Sequence, residues 1–257
     1  MTDVEVTSTA SQPNHVYGAA GTYNVTLTVV DSLGASGTVT QPVTVSVATV
    51  LAGDEFERTS ASGWGTADVG GNWSTAAGSS VSGGMGLMSL MNSQTRATTL
   101  SGSLPSGTDV RVSVSTDKVA NGGGAHVNVA PRKTAGGEYR AKLRISSTGV
   151  VNVGVAKLVG TTETLIANRV LTGYTHTAGA TLEVRVRTVS TGPSTTVQVK
   201  VWPQGQPEPV DWYVSATDSE AGLQGTGQLA ITSYVSGTAT NGPIGIAFDH
   251  LSVVAPN

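Results

Sequence analysis

Apolar residues in this chain recur at every second position, the period of a strand with one buried face, rather than at helical spacing. Tyr23, Val25, Leu27 and Val29 fall on one side of Tyr23–Val30, with Asn24, Thr26 and Thr28 on the other. Asp31-Ser32-Leu33-Gly34 reads as a turn, and alternation resumes from Val39 to Val47. After it, Val50-Leu51-Ala52-Gly53 reads as a linker, too short and too apolar for a loose tether.

The stretch from Asp54 to Ser74 breaks the rhythm. Asp54–Arg58 reads as a short acidic strand, followed by Gly63-Trp64-Gly65, a turn at Gly70-Gly71, and Asn72-Trp73. Strands are then predicted at Met85–Met91, Gln94–Leu100, Asp109–Asp117, His126–Ala130 and Glu138–Ile145. Val110, Val112 and Val114 point inward, as do Tyr139, Ala141, Leu143 and Ile145. Val150–Val159 turns near Gly160 into Glu163–Leu171, and Thr181–Val189 buries Leu182, Val184 and Val186. Thr195–Trp202 runs into a Pro-rich loop, Pro203–Pro209, before Asp211-Trp212-Tyr213. Gln228–Val235 and Ile244–Val254 close the series, and helix is allowed only around Ser219–Leu223. So many short strands imply an all-β protein built from two-sheet antiparallel sandwiches.

Composition agrees with that class. Only 12% of the 257 residues are charged, 38% are hydrophobic, and 33 are glycine. There is no cysteine, so neither disulfides nor thiolate chemistry contribute. Residues 1–50 hold Asp3, Glu5 and Asp31 with no Lys or Arg, which places the whole net charge of −3 there. Without a basic excess, nucleic acid is not an expected partner. No apolar run approaches the roughly 20 residues that a spanning helix needs, so membrane insertion is not expected either. The N-terminus lacks the basic and apolar regions of a signal peptide. A protein acting outside the cell would then be a mature fragment, part of a longer chain, or exported without a cleaved signal.

Two resemblances sharpen the picture. His15-Val-Tyr17-Gly-Ala-Ala-Gly21-Thr22-Tyr23, followed by Val-Thr-Leu-Thr-Val-Val-Asp31, resembles the C-terminal half of a PKD domain, a small extracellular Ig-like sandwich. The Trp-x-Phe-Gly-Asp-Gly-like signature of that family is missing before His15. The resemblance therefore implies a partial sandwich over residues 1–49, to be completed by a longer polypeptide or by another chain. Residues 50–257 are similar to a concanavalin-like, LamG-type jelly roll. The matching residues are Asp54, Phe56, Arg58, Trp64, Gly70, Gly71 and Trp73, then Gly137–Arg140, Val201–Pro203, Glu208, Pro209, Trp212, Asp218 and Phe248–Leu251. That combination resembles modules of secreted actinobacterial proteins and of their phages' tail or surface proteins. It implies an extracellular or virion-surface setting.

Candidate chemistry is sparse. Concanavalin-like glycosidases carry closely spaced carboxylates on one strand. Glu55 and Glu57 approach that pattern, but no third carboxylate follows, and no catalytic residue is assigned. His15, His126, His176 and His250 are scattered singly, without metal-ligand spacing. Jelly-roll modules implied by the resemblance hold structural calcium where first and last strands meet, which makes Asp54, Asp249 and Asp218 its candidate ligands. The opposing reading has Asp54 and Asp249 capping turns or pairing with Arg58. No other cofactor is implied.

Trp202, Trp212 and Tyr213 are the candidate ligand-binding residues, as an aromatic platform for sugar rings. Against this, they would simply seal the core beneath the Pro-rich loop. Arg140, Lys142, Arg144, Arg185 and Arg187 form a basic stripe that would attract acidic polysaccharide, or merely keep a sheet face soluble. Trp64 and Trp73 read as core. The expected function is non-catalytic adhesion or carbohydrate binding, with a glycan or cell-surface polysaccharide as partner. The alternatives are a structural assembly protein that is a homo-oligomer or virion subunit, and an accessory module of a secreted glycoside-active enzyme.

Overall fold

The computed structural model describes residues 7–10, 15 and 17–256; Val16 of the PKD-like motif lies outside them. The chain divides into two compact units, Met1–Ala48 and Thr49–Asn257.

In the first unit, β1 (Gly21–Val30) and β2 (Ser36–Val45) make one antiparallel hairpin. Its turn is fixed by Asp31, whose Oδ1 accepts hydrogen bonds from the backbone N–H groups of Leu33 and Ala35, each at 2.9 Å. One face is a threonine ladder, with Thr22–Thr44, Thr26–Thr40 and Thr28–Thr38 hydroxyls 2.9–3.3 Å apart. The other face carries Tyr23, Val25, Leu27 and Val29 opposite Val43 and Val39. Leu27 and Val29 each remain 59% exposed.

The second unit begins with β3 (Val50–Asp54), so the expected linker is a strand. After a long irregular stretch come β4 (Ser79–Ser82), β5 (Met85–Leu90), β6 (Thr95–Thr99) and β7 (Thr108–Thr116). The next four are β8 (Ala125–Thr134), β9 (Gly137–Ile145), β10 (Val151–Val159) and β11 (Thr162–Val170). The last five are β12 (Thr181–Thr191), β13 (Ser194–Pro203), β14 (Val214–Asp218), β15 (Gln228–Val235) and β16 (Ile244–Val254). A single 3-10 turn at Ala221–Leu223 is the helix among the described residues.

Two antiparallel sheets result. One has six strands in the order β11-β10-β9-β8-β15-β6. The other has eight, running β14-β13-β12-β7-β16-β5-β4 with β3 also paired to β16. The inward residues of both sheets, such as Val112 and Val184 on one and Val129, Leu143 and Val153 on the other, form one buried core. Consecutive strands β5 and β6 lie in different sheets, because the turn at Asn92-Ser93 (Ser93 φ 62°) carries the chain across the sandwich. Alternation alone does not report such a crossing.

Candidate functional site

First and last strands meet at Asp54, which pairs with Leu251 of β16. The expected acidic strand at Asp54–Arg58 ends here instead. Phe56 takes φ 54° and turns the chain inward, so its ring packs edge-on to Trp64 at 5.3 Å. Trp64 in turn meets Trp73 at 5.0 Å and Phe248 at 5.3 Å, and all four aromatics are buried. The Asp54 carboxylate ties this cluster together. It accepts from both Arg58 Nη atoms (2.6 and 2.8 Å), from Trp73 Nε1 (2.7 Å) and from the Phe56 N–H (3.0 Å).

Those four donors leave Asp54 no lone pair for a cation, so it does not fit the calcium ligand set implied by the resemblance. Asp218 is engaged elsewhere, accepting from Tyr139 Oη, Lys157 Nζ (both 2.8 Å) and the Glu220 N–H. Asp249 lies beside β3, where one ligand atom each from Glu55, Asp249 and His250 falls within 4.8 Å of the others. The three aspartates therefore do not form one site. Glu55 and Glu57 are exposed on the segment that leaves β3, not on a strand.

The three candidate aromatics have different surroundings. Trp202, 8% exposed, lies outside the inter-sheet core cluster. The loop after β13 folds back so that Lys200 Nζ donates to the carbonyls of Pro209 (2.6 Å) and Val210 (2.9 Å). Trp212 lies over Lys200 Nζ at 4.9 Å and the Arg185 guanidinium at 5.3 Å. Tyr213 sends its hydroxyl to the Val170 carbonyl, and its ring stacks under Arg169 at 4.7 Å. No ring contact joins the three among the described residues; Trp212 braces the loop after β13, and Tyr213 braces a sheet edge.

The basic stripe divides as well. Arg185 belongs to the eight-stranded sheet, where it clamps Asp109 (2.6 Å) and Glu208 (2.5 Å). Burial pushes the Glu208 carboxyl up, but hydrogen bonds from Arg185, Arg111 and Lys200 outweigh it and hold the group down at about 2. Arg140, Lys142 and Arg144 belong to β9 of the six-stranded sheet and point away from the core. Arg140 bonds Glu138 and Glu163, and Lys142 also bonds Glu163. Among the described residues Arg144 has no carboxylate partner; its Nε donates to the Gly123 carbonyl at 3.2 Å.

Around Arg144 the outward face of that sheet is hollowed into a cleft of about 240 Å³, lined by His126, Lys142, Arg144, Asn152, Val153, Gly154, Leu165 and Asn168. Register explains the grouping. His126, Arg144 and Asn152 are direct neighbours across β8, β9 and β10. Asn128, Lys142, Gly154 and Asn168 form the next row, across β8 to β11. Direct cross-strand partners hold their Cβ atoms roughly 5 Å apart. Gly154 leaves a gap in the floor, because it has no side chain between Lys142 and Asn168. Tyr234 of β15 flanks His126 with ring centroids 5.6 Å apart. Burial, and then the Lys142 and Arg144 charges, push the His126 imidazole down to about 4, so it is neutral near pH 7. Asn128 is 5% exposed, and its Oδ1 has no hydrogen-bond partner.

Residues 2–47 match the PKD domain family. No curated protein sequence matches the chain. Among solved structures, the chain is similar to the GH43 BlXynB protein from Bacillus licheniformis at 10% identity and a TM-score of 0.51, covering 89% of this chain and 46% of that one. It thus spans about half of that protein. A beta-1,3-glucanase from Mycobacterium marinum is similar at 11% identity and a TM-score of 0.50, with 80% and 98% covered. The CBM2 module of the evolved Dit of Lactobacillus casei BL23 phage J-1 shares 9% identity at a TM-score of 0.48, with 81% and 96% covered. At these identities the first two likenesses establish the fold, an antiparallel jelly roll.

Sequence reasoning located Lys142 and Arg144 but missed His126, Asn152, Gly154 and Asn168 as lining one cleft. A signal was present: outward positions of β8, β9 and β10 carry His126, Lys142, Arg144 and Asn152. It becomes a site only once the register sets those positions side by side.

Proposed function

We propose that this is a non-catalytic adhesion protein, working outside the cell or on a virion surface, that holds a saccharide in the cleft over β8–β11. The cleft itself carries the reading. It offers amides, a neutral imidazole and two cations beside an apolar wall at Leu165, the mixture that hydroxyl-rich rings with C–H faces require. Its lining contains no carboxylate, whereas glycoside hydrolysis ordinarily needs two flanking the bond. The PKD match at residues 2–47 supports the setting, since that resemblance implies an extracellular module.

Glycan-array screening followed by calorimetry tests this. At least one glycan should bind, and Asn152→Ala with Asn168→Ala should weaken it by about tenfold, the worth of one or two hydrogen bonds. Trp212→Ala should leave binding unchanged. No binder on the array, or a binder lost in Trp212→Ala and kept in the asparagine variant, would defeat the reading.

A second reading has its own observation. The apolar face of the β1–β2 hairpin is open, and a two-stranded hairpin does not bury such a face by itself. We propose that a second copy of the chain covers it, which makes the adhesion protein an assembly subunit.

A further inference from the structure

We infer that the cleft over β8–β11 selects an anionic saccharide, with Arg144 receiving the acidic group. This rests on the glycan reading above and adds to it the class of ligand.

Most cations near the cleft and on the neighbouring sheet are already occupied. Lys157 holds Asp218 and Glu220, Arg185 holds Asp109 and Glu208, and Arg140 and Lys142 share Glu163. Arg144 stands at the rim of the same cleft with only its Nε engaged, to a carbonyl. Its Nη atoms remain to donate a fork to an incoming oxyanion. A cation left without a counter-charge beside Lys142 raises the potential of a concave surface, where field lines concentrate.

The neighbours favour a sugar acid over a bare anion. Asn152 sits beside Arg144 across the β9–β10 pair, and Asn168 lies two strands from Lys142, so amides reach hydroxyls on rings next to the acidic one. No hydrogen-bond partner meets either His126 ring nitrogen among the described residues. The Asn128 Oδ1, buried in the row beside it, is an acceptor with no donor among the described residues, and an ordered water would satisfy it. Asn152 and Asn168, which line the cleft, face the neutral part of the ligand, and Arg144 the charged part. Leu165, half exposed, and the paired His126–Tyr234 rings give apolar surface to ring C–H groups.

The anion is either a uronate carboxylate or a sulfate ester, and direct comparison separates them. Binding of polygalacturonate, of its carboxyl-reduced neutral form, and of heparin is measured by calorimetry on the full chain. The expected result is that at least one polyanion binds about tenfold or more tightly than the neutral polymer. Arg144→Ala should remove that preference, and Lys118→Ala, a cation outside the cleft, should not. Arg144→Lys should restore the preference only in part, because the fork is lost. Preference for polygalacturonate names the uronate; preference for heparin names the sulfate.

The inference is overturned if the neutral polymer binds as well as its acidic parent, while the glycan reading then survives. It is equally overturned if Lys118→Ala weakens binding as much as Arg144→Ala, which would mean diffuse charge attraction. If neither these polymers nor any array glycan binds, the glycan reading fails with it. Arg144 is exposed, so its variants are expected to fold, and unchanged thermal unfolding checks this.

Discussion

The Asp54 carboxylate is buried, and its donors are close and well aimed. Two guanidinium nitrogens, an indole N–H and a backbone N–H surround it within 3.0 Å. Removing one member of such a pair strands the other, which costs about 3–5 kcal/mol. Asp54→Ala should therefore lower unfolding free energy by about that much in urea titration, and a loss under about 1 kcal/mol would contradict the role given to it. Calcium has no place in that role. His126 makes a different prediction. Its folded-state value, about 4, lies below the ordinary 6.5, so the unfolded chain takes up a proton first as pH falls. Stability should then decline between pH 6.5 and 4, and His126→Gln should flatten the decline. Burial first, then the charges of Lys142 and Arg144 on β9, lower the imidazole, Glu163 on β11 opposes them, and Tyr234 on β15 stacks beside it. His176, also lowered by burial, keeps part of the slope in the variant. Equal pH profiles for the two proteins would refute the assignment.

At the scale of elements, β8 and β9 do two jobs with one alternation. Val127, Val129, Leu143 and Ile145 build the core, while His126, Lys142 and Arg144 line the cleft. Further along β8 a register shift between Val129 and Arg132 turns an arginine inward. There Arg132 is buried, bonded to the Thr195 hydroxyl at 2.6 Å, the Leu223 carbonyl at 3.0 Å and the Ser190 hydroxyl at 2.7 Å. Burial lowers its pKa, yet these acceptors and the Tyr139 ring at 6.0 Å hold it between the sheets. The bulge thus separates a structural arginine from the outward polar rows that line the cleft.

At the scale of the molecule, the open hairpin face is where the second proposed reading puts the contact between copies. Val25, Leu27, Val29, Val39 and Val43 are each more than a third exposed on one side of β1–β2, and residues 1–50 carry no cation. A self-complementary face of this kind suits a two-fold pairing of copies. Light scattering of the intact chain should report a dimer or larger species, and Leu27→Thr with Val29→Thr should give a monomer. A wild-type chain that is monomeric at high concentration would sink the second reading and leave the cleft untouched.

Alternation along the chain specified most of the strands, their inward residues and the all-β class, because it records which face of each strand meets the core. The sequence also marked Trp64 and Trp73 as core, since local turns force their rings inward. Spacing misread Val50–Gly53 as a linker, because four residues are too few to show a period. What only the tertiary structure decided was which strands lie side by side. Trp212 and Tyr213 are adjacent along the chain yet take different neighbours, Lys200 and Arg185 for one and Arg169 for the other. His126, Arg144, Asn152 and Asn168 are distant along the chain and converge, because β8 to β11 pair in sequence and in register. A binding cleft on a sheet face is written across strands, and pairing register is a non-local quantity that no single strand encodes.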